Sequence, residues 1–344
     1  MKPARLVFSL ILFSVLFASC RKDPEMNDEP EEEIRLVIPE GFPAPVYNFD
    51  HNPLTKNGFE LGRKLFYDPL LSKDNSISCG SCHQQFAAFS HLEHAVSHGI
   101  NGKLGTRNAP GMFNLIWQPN LMWDGGVHSL ETQPLSPITN PVEMDETLEG
   151  VLTKLRTHPL YPGLFKKAFD TDSITTAHMF KAMAQFMGML NSSESRFDHF
   201  KRQQESFSQQ EEEGLQLFRT RCESCHKEPF FTDFSFRNNG LDTVFADSGR
   251  AMISFLQEDI GKFKVPSLRN IALTFPYMHD GRFETLEQVI GHYRSGVKMS
   301  PSLDSSLFSG IPMTDDEQEK IIAFLKTLTD SDFVSDKRFS KPPK

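Results

Sequence analysis

Four of the five cysteines in this 344-residue chain fall into two identical motifs, Cys79-Gly80-Ser81-Cys82-His83 and Cys222-Glu223-Ser224-Cys225-His226. Cys-x-x-Cys-His is the attachment sequence of c-type haem. Two thiols three positions apart can bond the two vinyl groups of one porphyrin, and the adjacent His then reaches the iron as its proximal ligand. Other uses of the pattern fit less well. A four-Cys zinc site has no need of the two His and would have to draw its pairs from opposite halves of the chain. Thioredoxin-like redox pairs need no following His. Disulfides at this spacing close a tight, strained loop. The sequence therefore predicts two covalently bound haem c groups, attached through Cys79, Cys82, Cys222 and Cys225, with His83 and His226 as iron ligands.

The N-terminus predicts export. Lys2 and Arg5 precede a nearly unbroken apolar run, Leu6 to Phe17, which ends in Phe17-Ala18-Ser19-Cys20. This reads as a lipoprotein signal peptide over 1–20, with Cys20 lipidated and the protein held at the membrane in the periplasm or cell envelope. An ordinary signal peptide with an incidental Cys20 is the alternative. Residues 21–40 read as an acidic tether, because residues 21–33 carry seven acids and almost nothing apolar. Beyond the signal, nothing approaches the ~20 apolar residues of a membrane span. With a formal charge of −9 and no basic patch, a nucleic-acid partner is disfavoured.

The chain also repeats itself. Glu60-Leu61-Gly62-Arg63-Lys64-Leu65-Phe66 precedes the first motif, and Glu212-Glu213-Gly214-Leu215-Gln216-Leu217-Phe218 the second. Arg107-Asn108 and Arg269-Asn270 follow downstream, then Trp123-Asp124-Gly125 and His279-Asp280-Gly281, then Ser129-Leu130-Glu131 and Thr285-Leu286-Glu287. Helix-like segments close the copies, Ile174 to Leu190 and Asp315 to Leu328, the latter opened by a Thr314/Glu317 capping box. The predicted fold is mostly α, with two cytochrome-c-like haem domains in tandem related by internal duplication. The first spans 41–195 and the second 196–344. Met179, Met183, Met187 and Met189 recur at helical spacing and are read as core.

The two copies differ at one position. Thr285 and Gln288 look like a capping box, and Leu286, Val289, Ile290 and Tyr293 share one helical face. Tyr293 then points where a distal haem ligand sits, with His292 at the edge of that face. Eight residues beyond Ser129, the first copy has Pro137, which cannot bind iron. The second iron can be closed by the protein and the first is open. Met278 and Met299 are alternative ligands to Tyr293.

On these residues the chain resembles the bacterial di-haem cytochrome c peroxidase family, which includes the enzyme that matures tryptophan tryptophylquinone. The resemblance covers residues 40–330. It rests on both haem motifs, Gly105 to Pro110 (GTRNAP), Trp123-Asp124-Gly125 and the run Phe263 to Gly281. It implies that Trp123 lies between the haems. It also implies that Gln133 and Glu143 form the polar pair of the peroxidatic pocket, followed by Met144. Asn108, Thr274 and Pro276 match positions that hold calcium, the last two through backbone carbonyls. The chemistry agrees: splitting peroxide needs a proton moved from one oxygen to the other, and a carboxylate in an apolar pocket is suited to that.

Two departures stand out. The blocking His of many family members is matched by Ile100, although His98, His91 and His94 are near. Tyr293 stands where the high-potential peroxidases have Met and the cofactor-maturing relative has Tyr. The leading expectation is an enzyme reducing hydrogen peroxide to water, its electrons supplied by a small c-type cytochrome or a cupredoxin-like donor. A peroxide-driven protein-oxidising enzyme and an electron carrier without turnover are the alternatives.

Overall fold

A computed structural model of the chain describes Met1 and residues 34–343. The signal peptide, Cys20 and most of the acidic tether lie outside the described residues. The helices run, in order, α1 Lys56–Tyr67, α2 Cys79–Cys82, α3 Leu135–Thr139, α4 Leu148–Thr157, α5 Tyr161–Phe169, α6 Thr176–Gly188, α7 Arg196–Lys201, α8 Gln209–Arg221, α9 Ala251–Ser254, α10 Leu286–Gly291, α11 Asp315–Lys326 and α12 Ser331–Ser335. One small antiparallel sheet pairs β1 Phe236–Arg237 with β2 Phe263–Lys264. The fold is thus mostly helical, as the sequence predicts, with short helices linked by long irregular stretches.

Local chemistry explains where the helices start. Thr55 caps α1 by accepting from Gly58 N, and Ser208 with Glu211 forms a capping box for α8. The two capping boxes read from sequence are present, Thr285 with Gln288 on α10 and Thr314 with Glu317 on α11. Met179, Met183, Met187 and Met189 are all buried, so the methionine stripe of α6 is core.

Two apolar cores result. One gathers α1, α5 and α6 with Phe89, Phe113 and Trp117, and the other gathers α8, α10 and α11 with Phe197 and Phe231. The tail from α12 onward packs on the first core through Phe333 and Phe339, and Tyr67 Oη donates to Phe339 O at 2.7 Å.

The same contact recurs in both cores. A Cβ on Gly62 of α1 would lie 1.9 Å from the Ala182 carbonyl oxygen of α6, and one on Gly214 of α8 2.0 Å from that of Lys320 on α11. Each would also meet a Phe Cβ at 3.0 Å, Phe186 in one case and Phe324 in the other. These helices touch backbone to backbone because their Gly lack a side chain. Gly62→Ala or Gly214→Ala is therefore expected to destabilise the holoprotein by about 3 kcal/mol, the range of core overpacking. Thermal unfolding followed by circular dichroism checks this; a melting temperature equal to wild type would show that the helices have room.

The structure corrects one detail of the repeat. Asn270 begins a 3₁₀ turn from a left-handed conformation (φ 58°), and the residue doing the same in the first half is Asn114 (φ 54°), not Asn108. Asn114 N donates to Leu190 O at 2.8 Å and Asn270 N to Leu328 O at 2.9 Å, at the ends of α6 and α11. The counterpart of Asn108 is Lys264. Asn108 N donates to His279 O and Lys264 N to Trp123 O, each at 2.7 Å, a reciprocal exchange across the seam.

Candidate haem and peroxide site

The first motif is a single helical turn, α2, opened by Ser78 and Ser81 as a capping box. One turn brings Cys79 and Cys82 to the same side and sets His83 just past its end. The second motif follows α8 directly, with Cys225 N and His226 N both donating to Cys222 O, at 3.2 and 3.0 Å. His83 Nδ1 lies 2.7 Å from Phe89 O and His226 Nδ1 3.0 Å from Phe231 O. A carbonyl only accepts, so Nδ1 carries the proton in both rings and Nε2 keeps its lone pair for a metal. Burial holds both imidazoles below their usual pKa, in the neutral form that ligates.

None of the four thiols is in a disulfide. Burial pushes the Cys79 and Cys222 thiols up to about 12. Among the described residues no three His, Cys, Asp or Glu side chains are grouped to hold a metal ion. The donor set fits a haem at each motif, with His83 and His226 as the imidazoles that would hold the iron.

The residues expected on the distal sides differ between the halves. Glu143 is half-buried just beyond α3, and its Oε1 accepts from Asn140 Nδ2 at 2.7 Å. Burial raises its pKa, and the Asn140 bond partly offsets the rise. Its charge acts on Cys79 and Cys82, so the carboxylate lies on the side of the first motif. Gln133 Nε2 faces Met122 Sδ at 3.8 Å. Pro137 sits inside α3. Ile100 is buried, and its N–H is bonded to Glu143 O at 2.7 Å. His98 is exposed, while His91 is buried and stacks on His94 with ring centroids 4.1 Å apart.

In the second half α10 ends at Gly291 and widens into a π-turn over His292–Gly296. The wider turn changes the register of the face read from sequence. His292 is buried, not at an edge, and its Nε2 bonds Asn239 O at 2.9 Å. Tyr293 Oη and Met278 Sδ both lie within reach of Asn239 Nδ2, at 3.5 and 3.4 Å. Burial pushes the Tyr293 phenol up to about 12, the Asn239 bond opposing. Met299 is exposed.

Trp123 is half-buried at the seam, its Nε1 donating to Asn108 O at 2.8 Å. Beside it Lys264 Nζ bonds Gln118 Oε1 at 2.7 Å and Asn120 O at 2.9 Å, and burial brings its pKa down to about 7. Asn108 is buried, and its Nδ2 donates to His94 O and Ala95 O. Thr274 and Pro276 lie on the stretch leading to Tyr277, Pro276 after a cis peptide. Sequence reasoning missed Asn140, Asn239 and Lys264. Only Asn140, three residues before Glu143, sat near a candidate residue; Asn238-Asn239-Gly240 reads as no more than a turn.

The sequence profile described as di-haem cytochrome c peroxidase matches residues 56–206. The methylamine utilization protein MauG of Methylorubrum extorquens is 35% identical over 318 residues, covering 90% of this chain and 88% of that protein. The cytochrome c551 peroxidase of Nitrosomonas europaea is 34% identical over 309 residues, 88% of this chain and 84% of its own. A crystal structure of a MauG-like protein associated with microbial copper homeostasis superposes with a TM-score of 0.84 at 32% identity, over 90% of this chain and 99% of that one. With both Cys-x-x-Cys-His motifs and likeness along nearly its whole length, this chain belongs to the di-haem cytochrome c peroxidase family, MauG proteins included.

Proposed function

We propose that this chain is a periplasmic di-haem peroxidase that reduces hydrogen peroxide to water at the first haem. The second haem, which Cys222, Cys225 and His226 would hold, would pass on electrons supplied by a small c-type cytochrome or a cupredoxin-like donor. The balanced reaction joins one peroxide, two electrons and two protons to give two waters. Two duplicated domains each hold one haem by thioether bonds, through Cys79 and Cys82 or Cys222 and Cys225. The bound iron supplies the redox chemistry; the chain's own residues position peroxide and move its protons.

The observation that carries this reading is the contrast between the distal sides. On the first, Pro137 offers no ligand, Glu143 is half-buried with a raised pKa, and Gln133 is the second polar residue of the reading. Glu143 takes the proton from one peroxide oxygen and returns it to the other, while Gln133 orients peroxide by hydrogen bonding without titrating. Ile100, bonded to the Glu143 backbone, holds the loop in which other family members carry a blocking His. On the second side Tyr293 would be the additional ligand to the iron. An electron carrier gains nothing from one open iron. Trp123, at the seam between the halves, relays electrons. Calcium at Asn108, Thr274 and Pro276 ties the domains together, and lipidated Cys20 anchors the protein to the membrane.

Tyr293 favours a second reading, in which peroxide drives oxidation of a protein substrate. An anionic Tyr ligand stabilises oxidised iron, which suits withdrawal of electrons from a substrate better than supply by a donor. Mixing the holoprotein with peroxide, with and without a pre-reduced small cytochrome, separates these readings. Donor-dependent peroxide consumption is expected. Peroxide-induced spectral change without donor oxidation would support protein oxidation, and no response to peroxide would leave a carrier.

A further inference from the structure

The strip Asn238-Asn239-Gly240 is fixed on three sides. Asn238 Nδ2 donates to Ser300 Oγ and Ser302 Oγ, both at 2.9 Å, and Gly240 N donates to Asn238 Oδ1 at 2.8 Å. Lys298 N donates to Gly240 O at 2.8 Å. His292 Nε2 holds the Asn239 carbonyl at 2.9 Å. The π-turn that carries His292 also carries Tyr293, so one turn grips the Asn239 backbone and aims the phenol at the Asn239 amide, 3.5 Å away. The same amide nitrogen lies 3.4 Å from Met278 Sδ.

The first half has the same arrangement without a ligand. Met122, one residue before Trp123, has φ 68°, and Met278, one residue before His279, has φ 75°. An amide faces each sulfur, Gln133 in the first half and Asn239 in the second. Met278 therefore occupies a wall position common to both halves. What the second half adds is Tyr293, and Asn239 is the amide that touches both.

We propose that Asn239 is a positioning residue for the second haem: its amide hydrogen-bonds the Tyr293 oxygen as that oxygen ligates iron and keeps Met278 on the wall. The proposal rests on the reading of Tyr293 as ligand. A bond donated to an anionic ligand oxygen draws charge away from the iron. That charge is greater on the oxygen when the iron is reduced, so the bond favours the reduced state and raises the potential.

The holoprotein is compared with Asn239→Leu, Asn239→Gln and Tyr293→Phe by absorption, electron paramagnetic resonance and redox titration. Tyr293→Phe should abolish the phenolate-to-iron band; an unchanged band would overturn the ligand reading. Asn239→Leu should keep both haems but lower the potential of the second. The expected shift is about tenfold in its redox equilibrium, roughly 59 mV for one electron. Asn239→Gln, which retains the donor, should recover part of it. Replacement of the phenolate band by a sulfur-to-iron band in Asn239→Leu would also support the proposal, because Met278 would have moved in. If Tyr293→Phe acts as expected while the Asn239→Leu potential and band match wild type, Asn239 is structural only and the proposal falls.

Discussion

Replacing Glu143 by Gln is expected to cost peroxide turnover roughly 10²–10⁴-fold while both haems remain bound, the range of a lost general acid–base group. Gln keeps the length of the side chain and an oxygen for Asn140 Nδ2, which lies 2.7 Å from Glu143 Oε1. What it lacks is the titratable proton. Wild type should also show an acid limb that the variant lacks. The carboxylate is the active base, and burial raises its pKa. The base form therefore fills only above the ordinary glutamate value of about 4.3, and turnover rises with pH through that higher midpoint. Steady-state peroxide consumption between pH 4 and 8, with haem content measured alongside, reads both effects. Turnover within a few-fold of wild type would remove Glu143 from the mechanism.

The haem motifs were legible in sequence because their chemistry is local. Cys79, Cys82 and His83 are set by one helical turn, so spacing alone carries the geometry. The capping boxes of α10 and α11 and the buried methionines of α6 were legible for the same reason. What sequence could not supply depends on conformation and on distant contacts. Arg-Asn dipeptides suggested that Asn108 matches Asn270, whereas the repeating feature is a left-handed Asn opening a 3₁₀ turn, which makes Asn114 the counterpart. The helical wheel put His292 at an edge because it assumed an unbroken α-helix; the π-turn buries it. Phe333 and Phe339 lie in the last residues of the chain, yet they fill the first core, and no periodicity announces that. Asn239 meets Tyr293 only after the chain has folded back over more than fifty residues.

Tyr293→Phe is expected to remove the low-spin signal of the second haem altogether and to open that iron to cyanide, with the first haem unchanged. The expectation follows from comparing equivalent positions. Around the first motif the wall residue Met122 faces an amide, and Pro137 stands where the second half has Tyr293. Around the second the wall residue Met278 faces an amide in the same way, so the added group is the phenol, held on a π-turn whose neighbouring His292 is bonded in place. Met278→Ala should accordingly leave the spectrum intact. If Met278→Ala abolishes the low-spin signal and Tyr293→Phe does not, the ligand is sulfur, and the protein is a donor-driven peroxidase with a high-potential second haem. The first haem gives an independent check. His98 is exposed on its loop, and Ile100 is tied to the Glu143 backbone, so His98→Ala should not alter the first haem's spin state. Conversion from low to high spin in that variant would mean that His98 closes the first iron at rest and that the enzyme must be reduced before it can bind peroxide.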